Sequence, residues 1–157
     1  MLFRSVVPSP RPQAIVELEV IRALASAGFV VVCCGGGGIP VIEEQGCLVG
    51  VEAVIDKDFA SSLLARSMEA DTLVLPTGVE KVALDFNKPT QRWLERMTLA
   101  EARQHHADGQ FDPGSMGPKV SALLDFVGGG GALGLMTNPP SLARALRGET
   151  GTRVVAS

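Results

Sequence analysis

Four lysines stand among the fourteen basic residues of this chain: Lys57, Lys81, Lys88 and Lys119. Lysines that serve only solubility scatter over a surface, whereas these four fall in or beside loops that the sequence pattern puts at strand ends. Lysine is a compact, movable point charge suited to a phosphoryl group in transit, and arginine is a rigid fork. Phosphoryl transfer asks a protein mainly for positioning and for cations beside the equatorial oxygens. Lys57 lies between Asp56 and Asp58, two acids placed to hold its ammonium group. The same triplet also reads as a solvated helix start, where acids are favoured in any case.

Glycine supplies the second kind of chemistry. The run Gly35, Gly36, Gly37 and Gly38 lets backbone N–H groups approach an anion without obstruction by Cβ. No Gly-Lys-Ser/Thr follows it and the dinucleotide spacing is absent, so it is neither a P-loop nor a Rossmann fingerprint. Anion cradle and plain turn both remain open readings of it. In α/β sheets ligands bind beyond the C-terminal ends of strands. Four features are assigned to such ends: the glycine run, Asp56–Asp58, Thr77-Gly78-Val79-Glu80, and Pro113-Gly114-Ser115-Met116-Gly117-Pro118-Lys119 just before a helix. A second run, Gly128–Gly131, lacks charged neighbours and reads as a helix-to-strand turn.

The histidines, His105 and His106, fall late in a helix, where favourable placement of imidazolium explains them. No Ser/His/Asp set and no zinc-ligand spacing emerges, so no protein-held metal site is expected. Cys33 and Cys34 close an apolar run and read as small core residues, and Cys47 stands apart.

The elements that must position these residues alternate. Periodicity predicts a strand over Met1–Val7, a helix from Ile15 to Ala25 ending at Gly28, and a strand buried on both faces over Phe29–Cys34. Glu43–Gly50 is a hairpin or loop. A helix over Asp56–Met68 leads to a strand at Asp71–Leu75 and a short one at Val82–Leu84. Thr98 and Glu101 form a capping box for a helix reaching His106. A helix over Gly117–Val127, a strand over Ala132–Met136, a helix over Ser141–Leu146 and a strand over Arg153–Ala156 complete the pattern. Such alternation predicts an α/β fold with a largely parallel sheet covered on both faces.

Size and charge narrow the function. The chain has 157 residues, 46% of them hydrophobic, with net charge −3. That length suits one domain with a real core. An acidic chain with no basic run draws neither nucleic acid nor an anionic membrane, and Trp93 is the lone tryptophan in a chain without tyrosine. No apolar run approaches a membrane span of about 20 residues. Three cysteines without a pairing pattern suit a reducing cytoplasm.

Taken together, the motifs resemble carbamate kinase, of the amino acid kinase family. The resemblance rests on Val6-Val7-Pro8-Ser9-Pro10, Gly35–Val41, Gly50–Asp58, Asn87-Lys88-Pro89, Gln91, the Thr98–Arg103 helix start, Pro113–Val120 and Gly148–Thr152. It covers essentially the whole chain in the family's order. It implies an αβα sandwich and the reaction of ATP with carbamate to and from ADP and carbamoyl phosphate, with Mg²⁺. It further implies that Lys57 and Lys119 touch the transferred phosphoryl, with Asp58 orienting the lysines. Gly35–Gly38 and Asp56 would lie near the reacting groups. Thr77, Gly78, Val79, Lys81, Asp85, Phe86, Lys88, Pro113, Gly114, Ser115, Met116 and Gly117 would line the nucleotide.

Two departures qualify the resemblance. Gly78 stands where the family commonly has aspartate. The family's N-terminal portion, with its own glycine-rich loop and a further lysine, has no counterpart here. Residues 1–157 therefore read as a single nucleotide-binding domain, the C-terminal part of such an enzyme. The partners expected are nucleotide, carbamate or carbamoyl phosphate, the remaining portion of the family's chain, and a second copy, since the family is typically homodimeric. The rival expectations are a nucleotide-binding or regulatory module without catalysis, and a family member with a different acceptor.

Overall fold

A computed structural model describes residues 6–157. The chain divides into two units, Met1–Leu64 and Ala65–Ser157.

In the first unit, helix α1 spans Leu18–Ser26 and buries Ile21. It stops where expected: Gly28 N–H donates to Ala25 O at 3.0 Å and Phe29 N–H to Leu24 O at 3.1 Å, which satisfies the last carbonyls. Strands β1 (Val41–Glu44) and β2 (Cys47–Gly50) pair antiparallel. Gln45 and Gly46 join them with φ of 52° and 79°, the mirror-image turn whose twist matches a hairpin. The irregular stretch is thus a hairpin rather than a loop. Helix α2 (Lys57–Ser67) begins in this unit, and the division falls within it.

The run Phe29–Cys34 does not form the buried strand its composition predicts. Phe29 is 64% exposed, and Val30 and Val32 are each 96% exposed. β-Branched side chains favour an extended backbone, but a strand exists only with a neighbour to bond. Among the described residues no ladder forms along this run. Cys33 and Cys34 are accordingly half-buried rather than core residues. Of the strand expected over Met1–Val7, Met1–Ser5 lies outside the described residues, and Val6 and Val7 sit in a bend.

The second unit carries the main sheet. Its strands are β3 (Thr72–Pro76), β6 (Arg96–Thr98), β7 (Leu133–Thr137) and β8 (Thr152–Val155), in the order β3-β7-β8-β6. β3 pairs parallel with β7 and β6 parallel with β8, while β7 and β8 run antiparallel. The sheet is therefore mainly parallel in a mixed α/β fold, as the alternation predicts. A separate ribbon joins β4 (Val82–Leu84) to β5 (Arg92–Leu94) antiparallel. β5 and β6 are three residues each, too short for a periodicity to show.

Three helices accompany the sheet: α3 (Leu99–Ala107), α4 (Met116–Gly128) and α5 (Leu142–Leu146). Thr98 caps α3 as predicted: its hydroxyl accepts from Glu101 N–H at 3.2 Å, and Glu101 Oε2 accepts from Thr98 N–H at 2.8 Å. α4 buries Val120, Leu123, Phe126 and Val127, positions three or four apart that make one apolar stripe. That stripe meets β7 closely: a Cβ at Gly134 would lie 3.0 Å from Leu123 Cδ2. Val120, Leu123, Phe126, Leu135, Met136 and Val154 are all fully enclosed, and they centre the core on α4, β7 and β8.

Candidate functional site

The sequence features divide between the two units, Gly35–Gly38 and Asp56–Asp58 in the first, the remainder in the second. Within the first unit the glycine run makes a tight turn. Gly37 N–H donates to Cys34 O at 2.7 Å. Gly37 is buried, with φ of 140°, and a Cβ there would lie 1.8 Å from Ile55 O. The turn thus packs directly on the backbone leading into α2, and only glycine fits. The neighbouring Gly35, Gly36 and Gly38 are exposed, so their backbone faces solvent.

Asp56 caps the start of α2. Its Oδ1 accepts from Asp58 N–H at 2.7 Å, and its carbonyl accepts from Ala60 N–H at 3.0 Å. Lys57 opens the helix with its side chain 59% exposed, and its Nζ is 3.9 Å from Asp58 Oδ2. That separation is too long for a hydrogen bond, so Asp58, itself buried, biases the ammonium without immobilising it. The acids thus serve the helix start, with Lys57 a largely exposed cation between them.

In the second unit only Thr77–Glu80 lies at the C-terminal end of a strand, following β3. The other three features assigned to strand ends do not. Among the described residues no strand precedes Gly35, β2 ends at Gly50, several residues short of Asp56, and Pro113 follows α3 rather than a strand. Thr77 N–H donates to Thr137 O at 2.8 Å, which ties the loop to the end of β7. Glu80 is held by Thr150 Oγ1, and Arg144 Nη1 lies 3.5 Å from Glu80 Oε1. Gly78 is exposed, and a Cβ there would meet nothing within 4 Å.

Lys81 and Lys88 are tied into close ion pairs. Lys81 Nζ lies 2.6 Å from Glu95 Oε1. Lys88 Nζ lies 3.0 Å from Asp85 Oδ1, and Thr90 Oγ1 donates to Asp85 Oδ2 at 3.0 Å. These bonds hold the Asp85 carboxyl below the usual carboxylate range, Lys88 first and Thr90 next. Lys81 does the same to Glu95. Asp85 and Asn87 have φ of 49° and 62°, and the β4–β5 loop holds that shape through Asp85 N–H donating to Gln110 Oε1 at 2.9 Å and Asn87 N–H to Gln91 Oε1 at 2.8 Å. The loop turns Phe86 outward, about half exposed, in edge contact with Trp93 at 6.5 Å between ring centres.

The segment before α4 is organised by Asp112, which the motif-based reading missed. Ser115 Oγ donates to Asp112 Oδ2 at 2.7 Å, and Gly117 N–H donates to Asp112 O at 2.8 Å. An aspartate two residues ahead of Gly114 is a known signal for such a side-chain turn. Pro113, Gly114 and Ser115 are exposed, and Met116 and Lys119 are half-buried in the first turn of α4. Glu95, Gln110 and Thr150 were likewise missed, because each acts across a long sequence separation.

This chain belongs to the amino acid kinase family, whose sequence profile matches residues 2–137. It is 49% identical to a carbamate kinase-like protein, YahI, of Escherichia coli, over 98% of this chain and 49% of that one. To the carbamate kinase of Clostridium perfringens it is 47% identical over the same shares. Among solved structures, carbamate kinase from Giardia lamblia bound to AMP-PNP superposes with a TM-score of 0.93 at 43% identity, covering 96% of this chain and 48% of that one. The chain spans about half the length of the curated relatives it matches.

Proposed function

We propose that this chain supplies the ATP side of a carbamate kinase reaction, in which ATP and carbamate interconvert with ADP and carbamoyl phosphate. One observation carries the reading: similarity to carbamate kinases runs through 98% of the chain at close to half identity. A relative with the same fold binds AMP-PNP, an ATP analogue.

In this reading Lys57 and Lys119 offset the charge of the transferred phosphoryl group, and Asp58 restrains Lys57. Gly35, Gly36 and Gly38, whose backbone is exposed, and Asp56 face the carbamate or the phosphoryl group of carbamoyl phosphate, while Gly37 shapes the turn that presents them. Thr77–Val79, Lys81, Asp85, Phe86, Lys88 and Pro113–Gly117 receive the nucleotide. Lys81 and Lys88 already carry carboxylate partners, so their part is to shape the nucleotide loop rather than to meet phosphate as bare charges. Mg²⁺ takes hard oxygen ligands and keeps waters and substrate phosphates, so one or two carboxylates suffice. Asp56 and Asp58 are of that type. When bound, the ion would neutralise charge on the nucleotide phosphates.

A second reading, nucleotide binding without catalysis, is favoured by Gly78, which removes a carboxylate from the loop after β3. One assay separates the two. Joined to the half of the family's length that it does not span, the chain should form ATP from ADP and carbamoyl phosphate. ADP binding by calorimetry without any ATP formation, under conditions where a carbamate kinase works, would overturn the transfer reading and leave the module. ATP formation from another acyl or carbamoyl-type phosphate donor, and not from carbamoyl phosphate, would move the reading to a different acceptor.

A further inference from the structure

Trp93, the one tryptophan of the chain, is not spent on the core but stands about half exposed on β5. The β4–β5 ribbon that carries it is separate from the main sheet, and a two-stranded ribbon is marginal unless something else holds it. Both of its ends are held. Thr152 Oγ1 accepts from Val82 N–H at 2.8 Å and donates to Leu94 O, one bond to each strand. At the loop end Asp85 N–H donates to Gln110 Oε1, and the Asp85 carboxylate takes Lys88 and Thr90. Trp93 pairs with Ala83, so the two side chains share one face of the ribbon. With only a methyl group opposite, the indole reaches Phe86, its ring plane 68° from that of the phenyl ring.

An edge contact of this kind restrains a ring without consuming both of its faces, as a face-to-face stack would. The backbone of the loop is already fixed by its side-chain bonds, so the freedom left to Phe86 is rotation of its own side chain. Trp93 limits that rotation. An aromatic face held in one orientation is a stacking surface for a nucleobase, and stacking strength sets which bases are preferred. We propose that Trp93 is a positioning residue that sets the Phe86 ring as a platform for the base of a purine nucleotide. The proposal rests on the reading that the β4–β5 loop receives nucleotide, and it adds the residue outside that loop which gives the loop its base preference. Trp93 acts through Phe86 and does not itself meet the base.

The test is calorimetry of ADP and CDP on the whole chain, with each variant checked for native circular dichroism. Trp93→Leu should weaken ADP binding by about 2- to 10-fold, the worth of one aromatic pair. CDP, with the smaller base, should lose less, so the ratio of the two affinities falls. Trp93→Phe, which keeps a ring, should bind ADP nearly as the parent does. In a Phe86→Leu background, where the platform is gone, Trp93→Leu should cost nothing further. ADP binding unchanged by Trp93→Leu, equal losses for ADP and CDP, or losses that simply add in the double variant would overturn this proposal and leave the nucleotide reading standing. A parent chain that binds no ADP would overturn both.

Discussion

The two units of this chain contain similar kinds of residue and use them differently. Among the described residues, the buried apolar side chains of the first unit are Ile21 and Ala60, whereas the second buries Val82, Met97, Val120, Leu123, Phe126, Leu135, Met136 and Val154 almost completely. The first also leaves Phe29, Val30, Val32 and Ile39 more than half exposed. The difference teaches what a sheet does for its sequence. In the second unit each strand of the main sheet has a bonded neighbour and packs against α3 or α4. In the first, the most strand-like run in the chain has neither, and its composition alone does not make a strand.

The contrast can be broken from either side. Phe126→Ala empties the centre of the second unit, where Phe126 is 0% exposed. A loss of about 3–5 kcal/mol is expected, read as a lower urea midpoint for that unit. A loss below about 1 kcal/mol would mean that the core collapses readily onto the cavity. Gly37→Ala strikes the first unit through backbone rather than core, because the new methyl meets Ile55 O and φ is 140°. A cost of about 2 kcal/mol or more is expected there, with faster amide exchange at Gly37 and its neighbours. Exchange unchanged in the first unit would show that the turn is not what orders it.

A smaller effect sharpens the picture at one cap. Thr98→Ala should cost about 1 kcal/mol, seen in thermal unfolding. The Glu101 carboxyl is held below the usual range by the Thr98 backbone N–H first and its hydroxyl next. A depressed folded-state value means that this contribution is present above the ordinary glutamate range and fades as pH falls through the lowered value. The stability difference between Glu101→Gln and the parent should therefore shrink in acid. A difference constant across that range would show that the charge is not involved.

The sequence made local features legible and long-range ones obscure. The Thr98–Glu101 cap, the stop of α1 at Gly28, the apolar stripe of α4 and the strands β3, β7 and β8 all rest on signals within a few residues. β5 and β6 escaped because each is three residues long, and β6 moreover exists through a partner far away, Met97 pairing with Val154. Phe29–Cys34 misled because a central strand is defined by its neighbours as much as by its side chains. At the candidate site, Asp56, Lys57, Asp58 and the glycine turn could be singled out by type and spacing. The carboxylates that hold Lys81 and Lys88 differed in this respect: Asp85 is three residues from Lys88, but Glu95 is fourteen from Lys81, beyond any local pattern.

Lysine at position 119 tests the proposed chemistry most directly. In the form carrying the family's full length, Lys119→Met should lower kcat for ATP formation from ADP and carbamoyl phosphate by about 10²–10³-fold, the usual loss when one charge-stabilising donor is removed. The affinity for ADP should change by only a few-fold. A kcat within a few-fold of the parent would contradict the account.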